Sequence, residues 1–401
     1  MKIVQINATY GCGSTGNIVK SIDYMLKNEG HESFVAYQKS NELINNGYKI
    51  GNIIDRKFHA VWTRIIGKQA YASRLVTNKL IKWIDEQKPD IVHLHNLHSN
   101  YINLNMLLTY LDRNKIVTFL TLHDCWFFTG KCFHFVESKC YKWQVDCKKC
   151  LRKRKDIPSL FIDNSAKVLS DKKKYFDKMN KLIVVGCSDW ICNQARKSIL
   201  NPHKIYRIYN GIDVNIYRPI ESNFKNRYNL RNKHLYLGDA NKWLNSENIQ
   251  IFKRFVEDLL IDEMLILFGC NKSQLEFLKS WKNVIGISYT TNKIHMVELF
   301  SSSDIFINLT LADTLPTVNM ESISCGTPVI TYDSCGSPEL VDHGRTGFVI
   351  AKFDYESLIK YKEILKREKI FRTQCRNIAK ERFDIEANFA EYIKLYKESL
   401  E

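Results

Sequence analysis

What the 401-residue chain lacks narrows its class first. No stretch approaches the ~18 uninterrupted apolar residues of a membrane-crossing helix, so no transmembrane span is expected. The opening MKIVQINATYGCG is too short and too quickly polar for a signal peptide; it reads as a strand running into a glycine loop. A cytoplasmic protein is expected. Acids are outnumbered: 43 Asp and Glu face 59 Lys and Arg, a formal net charge of +16. Such an excess points to nucleic acid, anionic lipid or a phosphate-bearing substrate. No helix-turn-helix, aromatic platform or zinc-finger histidine pair accompanies the charge, so no nucleic-acid partner is expected. The excess is uneven, with twelve Lys or Arg against four Asp in residues 148–181. Lys148 to Lys155 and Lys172 to Lys174 are either a solvated face or a patch that meets anionic lipid at ~1 kcal/mol per residue.

What is present is an alternation. Strand candidates in the first half are 2–8, 33–38, 90–96, 115–123 and 181–188; the second half repeats them at 234–241, 264–270, 283–289, 304–310 and 327–333. Helical patterns such as 17–30 and 189–200 lie between them. Strands alternating with helices argue for an α/β protein with parallel sheets covered on both faces. The length favours two domains. The segment IYNGIDVNIYRP (208–219), with its Gly and Pro, reads as the connection. The expected organisation is residues 1–207, then 208–383, then an amphipathic helix over 384–401 that packs back across the pair. Ligands of open α/β sheets bind beyond the carboxyl ends of strands, and two such sheets face to face make a cleft.

Gly11-Cys12-Gly13-Ser14-Thr15-Gly16 follows the first strand and spells the dinucleotide fingerprint G-x-G-x-x-G. The acid that should hold a ribose ~20 residues on is missing, since the second strand ends at Gln38 and Lys39 with no acid before Glu42. NAD is therefore disfavoured. The loop is either a tight strand-to-helix turn or a set of N–H groups facing a phosphate or sugar.

Twelve cysteines without a secretion signal are thiols or metal ligands rather than a disulfide frame. Cys132, Cys140, Cys147 and Cys150 crowd one Lys-rich insertion over 125–150, and Cys147-Lys-Lys-Cys150 has zinc-knuckle spacing. They are a four-thiolate structural zinc site, free thiols or a stray disulfide; Cys125 stands apart.

Two acids, Asp313 and Glu321, punctuate ADTLPTVNMESISCGTPVI (312–330). Residues 317–325 predict a helix ended by Gly326 and Pro328, with Asp313 in the loop before it and Glu321 one turn inside. Acids at two depths can grip two parts of one ligand, each accepting from vicinal hydroxyls. Their plainer reading is a helix cap and a salt bridge.

This stretch resembles the donor-binding signature of retaining glycosyltransferases of family 4: an acid, seven residues, a second acid, then a small-Cys-Gly-x-Pro-Val turn. TLHDCWFFTGKC (121–132), the cysteines at 147 and 150, SDWICNQ (188–194), YNGIDVNIYRP (209–219) and GSPELVDHGRTGFVI (336–350) are similar to the same family, above all to its branch for colanic-acid, capsule and O-antigen assembly. The resemblance runs nearly the whole chain in order. It implies two facing Rossmann-like domains, the GT-B architecture, with an acceptor-side N-terminal domain and a donor domain after it. It implies that Asp313 contacts the donor sugar and Glu321 the nucleotide ribose. The loop Leu315, Pro316, Thr317 and Val318 would line sugar and diphosphate, and His123 would lie near the reacting centre. Gly13, Ser14, Thr15 and Gly16 would approach donor and acceptor. His93 and His95 share one strand face; either could reach the acceptor or stay in the core.

One departure stands out. The family carries an Arg and a Lys after the first strand of its second domain, where they clamp the diphosphate. The aligned positions here are Ser246 and Glu247, with Lys242 the nearest cation. The resemblance implies transfer of a hexose with retention, from a nucleotide-diphosphate sugar to a glycan or polyprenyl-diphosphate-linked acceptor of the cell envelope. It implies no cofactor for catalysis, and a site at the inner face of the membrane. The departure keeps a second reading open, a nucleotide-sugar-binding relative that acts as scaffold or regulator. A third, an epimerase on the same architecture, would alter a nucleotide-sugar without any acceptor.

Overall fold

The computed structural model describes residues 1–290, 292–368 and 371–401. The chain divides into two compact units, one of Met1–Asn210 with Asn388–Glu401, the other of Gly211–Ala387. The first unit is built on β1 (Lys2–Tyr10), β2 (Glu32–Ser40), β3 (Gly47–Lys49), β4 (Ile91–Leu94), β5 (Val117–Leu122), β6 (Leu182–Gly186) and β7 (Lys204–Arg207). They form one parallel sheet in the order β3-β2-β1-β4-β5-β6-β7. The second unit holds β8 (His234–Asp239), β9 (Glu263–Cys270), β10 (Val284–Ser288), β11 (Ile305–Asn308), β12 (Val329–Tyr332) and β13 (Gly347–Ile350). Its parallel sheet runs β10-β9-β8-β11-β12-β13. In both sheets the order of strand addition reverses once, between β1 and β4 and between β8 and β11. That is where such folds leave a crevice beyond the strand ends.

The central strands are buried on both faces, so their sequences read as apolar runs rather than alternations. Ile3, Val4 and Ile6 of β1, and Leu265, Ile266 and Leu267 of β9, have no exposed surface. Three strands escaped the sequence reading. β3 and β7 are short edge strands with largely exposed side chains, and β13 has only four residues. The charged heart of the second unit is Glu263, fully buried, which accepts from Tyr236 (2.6 Å), Lys362 (2.9 Å) and Lys366 (2.9 Å). These partners hold its carboxyl down to about 2 against the burial that pushes it up.

The C-terminal helix spans Ile385–Leu400, and from Asn388 onward it belongs to the first unit. There Tyr392 and Tyr396 are buried; their hydroxyls bond Thr121 Oγ1 (3.0 Å) and His93 Nδ1 (2.6 Å).

The basic segment needs a correction. Lys172 is no part of a surface patch: it is buried, its ammonium donates to the carbonyls of Trp126 and Thr129, and it stands 3.6 Å over the Trp126 ring. Arg152 is buried too, paired with Glu137 (2.9 Å) and Asp156 (2.8 Å). Lys149, Arg154, Lys155, Lys173 and Lys174 are the exposed cations of the two runs, with Lys148, which pairs with Asp146.

Candidate active site

In the first unit, candidate side chains gather where β1, β4 and β5 end. β4 ends at Leu94 and β5 at Leu122, so His95 and His123 each lie one residue past a strand. His95 is fully buried. Its Nε2 faces Gln5 Oε1 at 3.3 Å and its Nδ1 faces His123 Nε2 at 3.1 Å. The Gln5 amide nitrogen donates to the Val19 carbonyl (3.3 Å), which leaves Gln5 Oε1 as acceptor toward His95. His95 therefore carries its proton on Nε2 and accepts on Nδ1, and His123 carries its proton on Nε2. His123 Nδ1 is left as a lone-pair acceptor. Burial lowers the pKa of His123 to about 4 and that of His95 well below its usual value, so both are neutral at neutral pH.

His93 shares a face with His95, ring centroids 3.9 Å apart, as alternation along a strand requires. Both its nitrogens are bonded inside, to Thr121 and Tyr396, so it is a core residue. The sequence reading missed a further pair beside these rings. His98 Nε2 meets Asp124 Oδ2 at 2.9 Å, and Asp124 Oδ1 accepts the Trp126 N–H at 2.8 Å. Asp124 was visible directly after His123, but nothing in spacing pointed to His98.

The glycine loop opens the helix Gly13–Asn28, whose N-cap, Cys12, makes no side-chain cap bond. Gly13 and Ser14 are exposed, Thr15 is partly exposed, and Gly13 holds φ +70° with open space where a Cβ would project. Gly16 is buried, and a Cβ there would meet Thr9 Oγ1 at 2.8 Å. The helix start thus offers N–H groups without intrahelical partners to an anion or hydroxyl. Glu42, the first acid after the second strand, is taken up by Lys20 at 2.7 Å.

In the second unit the candidate residues lie beyond β8 and β11. The helix Thr317–Ser324 forms as expected, Gly326 beyond it takes φ +79°, and no side chain caps its start at Pro316. Asp313 Oδ1 accepts the Leu315 N–H at 3.1 Å, folding the loop into a turn. Of the expected loop donors, the Leu315 N–H is thus engaged within the loop and Pro316 has none. Thr317 and Val318, at the uncapped helix start, keep theirs. Glu321 lies partly buried one turn in and closes no salt bridge among the described residues; its hydrogen-bond partner is the Tyr217 hydroxyl. Burial raises its pKa to about 7, against the pull of Tyr217 and the charge of Lys293.

Lys242 sits on the short helix Ala240–Trp243 that follows β8, in no salt bridge among the described residues. Ser246 and Glu247 are exposed and bond each other at 3.0 Å. A cation that the sequence reading missed, Lys352, donates to the Leu311 carbonyl at 3.1 Å, two residues before Asp313. Its position reflects tertiary packing alone.

The four insertion cysteines line one small cavity and are free of disulfides. Among the described residues no group of three or more His, Cys, Asp or Glu is already disposed to hold a metal ion. Cys125 is buried apart from them, its N–H donating to the Phe133 carbonyl.

Comparison with known proteins agrees with this arrangement. The chain is similar to WcaC of Escherichia coli (strain K12), described as a colanic acid biosynthesis glycosyl transferase, at 24% identity. That match covers 63% of this chain and 62% of the relative, just under two thirds of its length. By fold it is similar to sucrose-phosphate synthase from Thermosynechococcus elongatus (TM-score 0.70, 13% identity, 99% of this chain and 98% of that one). It is also similar to HepE from Anabaena in complex with UDP and glucose (TM-score 0.64, 13% identity, 99% of each chain). The model for Glycosyltransferase Family 4 matches residues 22–216, and that for Glycosyl transferases group 1 matches residues 220–382. The two matches follow each other along nearly the whole sequence, and the chain belongs to glycosyltransferase family 4, with the GT-B fold of two parallel-sheet α/β units.

Proposed function

We propose that the protein is a retaining hexosyltransferase that moves a hexose from a nucleotide-diphosphate sugar to a polyprenyl-diphosphate-linked polysaccharide of the cell envelope. The observation that carries this reading is Glu321. A partly buried acid with raised pKa and no salt bridge among the described residues costs the fold stability. A ligand that presents vicinal hydroxyls offsets that cost, and a ribose is such a ligand. Asp313 stands eight residues earlier in the loop after β11, suited to hydroxyls of the sugar.

In this reading the acceptor oxygen attacks the anomeric carbon on the face from which the diphosphate leaves. The carbon–oxygen bond to the diphosphate breaks, and the departing phosphate oxygen takes the acceptor's proton, so no protein nucleophile takes part. The chain supplies position and charge. Thr317 and Val318 N–H groups and Lys242 bear on the diphosphate without a metal ion. The neutral His123, held by His95, orients or polarises the sugar. UDP bound to the similar-fold HepE makes UDP the first nucleotide to try.

The lipid-linked acceptor is supported by a surface. The helix Ile53–Ile66 exposes Ile54, Phe58, Val61 and Ile65, an apolar stripe at helical spacing. Phe161 and Ile162, also exposed, lie on the segment bonded to the end of that helix through Leu160 N to Arg64 O (2.8 Å). Arg56, Lys57 and Arg64 lie on the same helix, in no salt bridge among the described residues. Apolar side chains among cations suit an anionic leaflet. No helix among the described residues is long and apolar enough to cross a membrane, so a peripheral association is the one proposed.

One observation favours the second reading, a binding relative with little turnover: Ser246 and Glu247 bring no cation where the family carries its clamp. The test separates the two. Thermal shift with UDP, GDP and ADP identifies the base, since a ligand at 100 times its dissociation constant adds ~2.7 kcal/mol. Incubation with that nucleotide's sugars and a polyprenyl-diphosphate-linked acceptor follows, with the new linkage read by NMR. A product that keeps the donor's anomeric configuration supports the transferase; a shift without product supports the binding relative. The absence of any shift removes both.

A further inference from the structure

From Thr129 to Asn164 the first unit runs without strand or α-helix, with a single 3-10 turn at Lys142–Gln144. An irregular stretch well beyond ~12–15 residues needs something besides backbone ladders to hold it. Part of the answer is aromatic: Phe135 and Trp143 are buried and pack with centroids 4.9 Å apart and planes tilted by 44°. The rest is sulfur. Cys132, Cys140, Cys147 and Cys150 converge on one cavity of about 20 Å³, walled by those two rings, which has room for a single atom-sized guest.

The backbone holds the cysteines there. Cys150 N–H donates to Asp163 Oδ2 at 2.7 Å and Cys140 N–H to the Phe135 carbonyl at 3.2 Å. The Cys147 carbonyl accepts from Ser165, and a Cβ on Gly130 would meet Cys147 Cβ at 3.0 Å. Between the paired cysteines Lys149 adopts φ +51°, a left-handed turn that brings the two ends of C-x-x-C together. Lys131 and Lys142 line the same cavity, cations that would balance the doubly negative charge of four thiolates around one divalent ion.

We propose that these four cysteines bind one zinc ion that closes the 129–164 segment, a structural site separate from the transfer reaction. The ion draws the thiols into a tetrahedron, with bonds near ~2.3 Å, from positions they share but do not yet occupy in coordination geometry. Four sulfurs without an oxygen or open position suit zinc and a structural rather than catalytic role. The segment begins six residues after His123, so the ion would also steady the loop that carries Asp124 toward His98. The site stands whether or not the transferase reading does.

The test uses the full chain, purified reduced, without chelator or affinity tag. Elemental analysis should give one zinc per chain, released by a mercurial that titrates thiols. Cobalt(II) exchanged for it should show the visible bands and sulfur-to-metal charge transfer of a tetrahedral thiolate site. Cys147→Ser and Cys140→Ser should each weaken zinc binding at least ~10-fold, while Cys125→Ser keeps the full complement. If the serine variants fail to fold, the cobalt spectrum of the unaltered chain still decides. A metal-free chain that takes up no cobalt and whose thiols react with disulfide reagents overturns the proposal, as does a Cys132–Cys150 disulfide found in the reduced preparation.

Discussion

His95 Nδ1 accepts from His123 Nε2 across 3.1 Å, and His95 Nε2 in turn donates to Gln5. This order fixes the tautomer of His123 from inside the sheet and leaves its Nδ1 lone pair unclaimed among the described residues. His95→Ala should therefore lower kcat without touching the donor, by roughly 10–10² of the ~10²–10⁴ that positioned proton-handling groups supply. Steady-state kinetics checks it: kcat falls and the donor KM holds. Gln5→Glu, whose carboxylate accepts the His95 Nε2–H and favours the imidazolium, should raise the pKa of the pair and move the acid limb of the pH profile upward.

The same burial shapes acid stability. His59 is pushed down to about 4 by burial, as is His123, and His93 and His95 fall well below their ordinary value. Unfolded, these groups take up protons near pH 6.5; folded, His59 and His123 do so only near 4, and His93 and His95 only well below their ordinary value. In that window the unfolded chain binds more protons, so stability is full above about pH 6.5 and falls as the pH drops toward 4. Urea midpoints at pH 7.5, 6 and 5 should decline in that order.

Glu321 has the opposite sign. Its folded pKa, raised to about 7, exceeds the ordinary 4.5, so its contribution is lost as the pH rises from 4.5 through 7. A ribose diol donates to the charged form, so nucleotide affinity should rise with pH across the same range. Glu321→Gln should stabilise the free protein at pH 8 and weaken nucleotide binding about 10–100-fold, the worth of hydrogen bonds to a charged group. Calorimetric titration at pH 6 and 8 measures it; affinity indifferent to pH would remove the ribose assignment.

Two lysines compete for the role of the absent clamp. If Lys242 bears on the leaving diphosphate, Lys242→Ala should cost ~10²-fold or more in kcat, as loss of one preorganised donor does. Lys352, whose ammonium is already bonded to the Leu311 carbonyl, should affect donor KM more than kcat when changed to Ala. Comparing the two variants under saturating donor separates stabilisation of the leaving group from support of the loop.

For the membrane surface, Phe58→Ser and Val61→Ser together should abolish sedimentation with anionic vesicles while leaving the melting temperature within a degree or two. Both side chains are more than half exposed, so they contribute little to the core. Unchanged sedimentation would shift attention to the exposed Lys149, Arg154 and Lys155.

The sheets were legible because their central strands are buried on both faces and carry unbroken apolar runs; β3 and β7 were not, because exposed edge strands need no such run. Asp313 and Glu321 were legible because a strand end, a proline and a glycine fix the loop and helix between them. His98 was not: its partner Asp124 is 26 residues away, and only the side-by-side packing of β4 and β5 joins them. Lys172 was misread as surface by composition, although Ser165, Val168, Leu169, Lys172 and Phe176 trace one buried helical stripe. Periodicity was the better guide there, since a lysine can bury its stem and spend its ammonium on carbonyls.

The bond from Tyr396 to His93 gives the last turns of the chain a practical meaning. His93 packs against His95, and His95 sets His123, so a protease that clips after Leu395 would alter chemistry as well as fold. A fusion partner or immobilisation handle joined beyond Glu401, which is exposed, leaves this latch shut; one that replaces the final helical turns opens it.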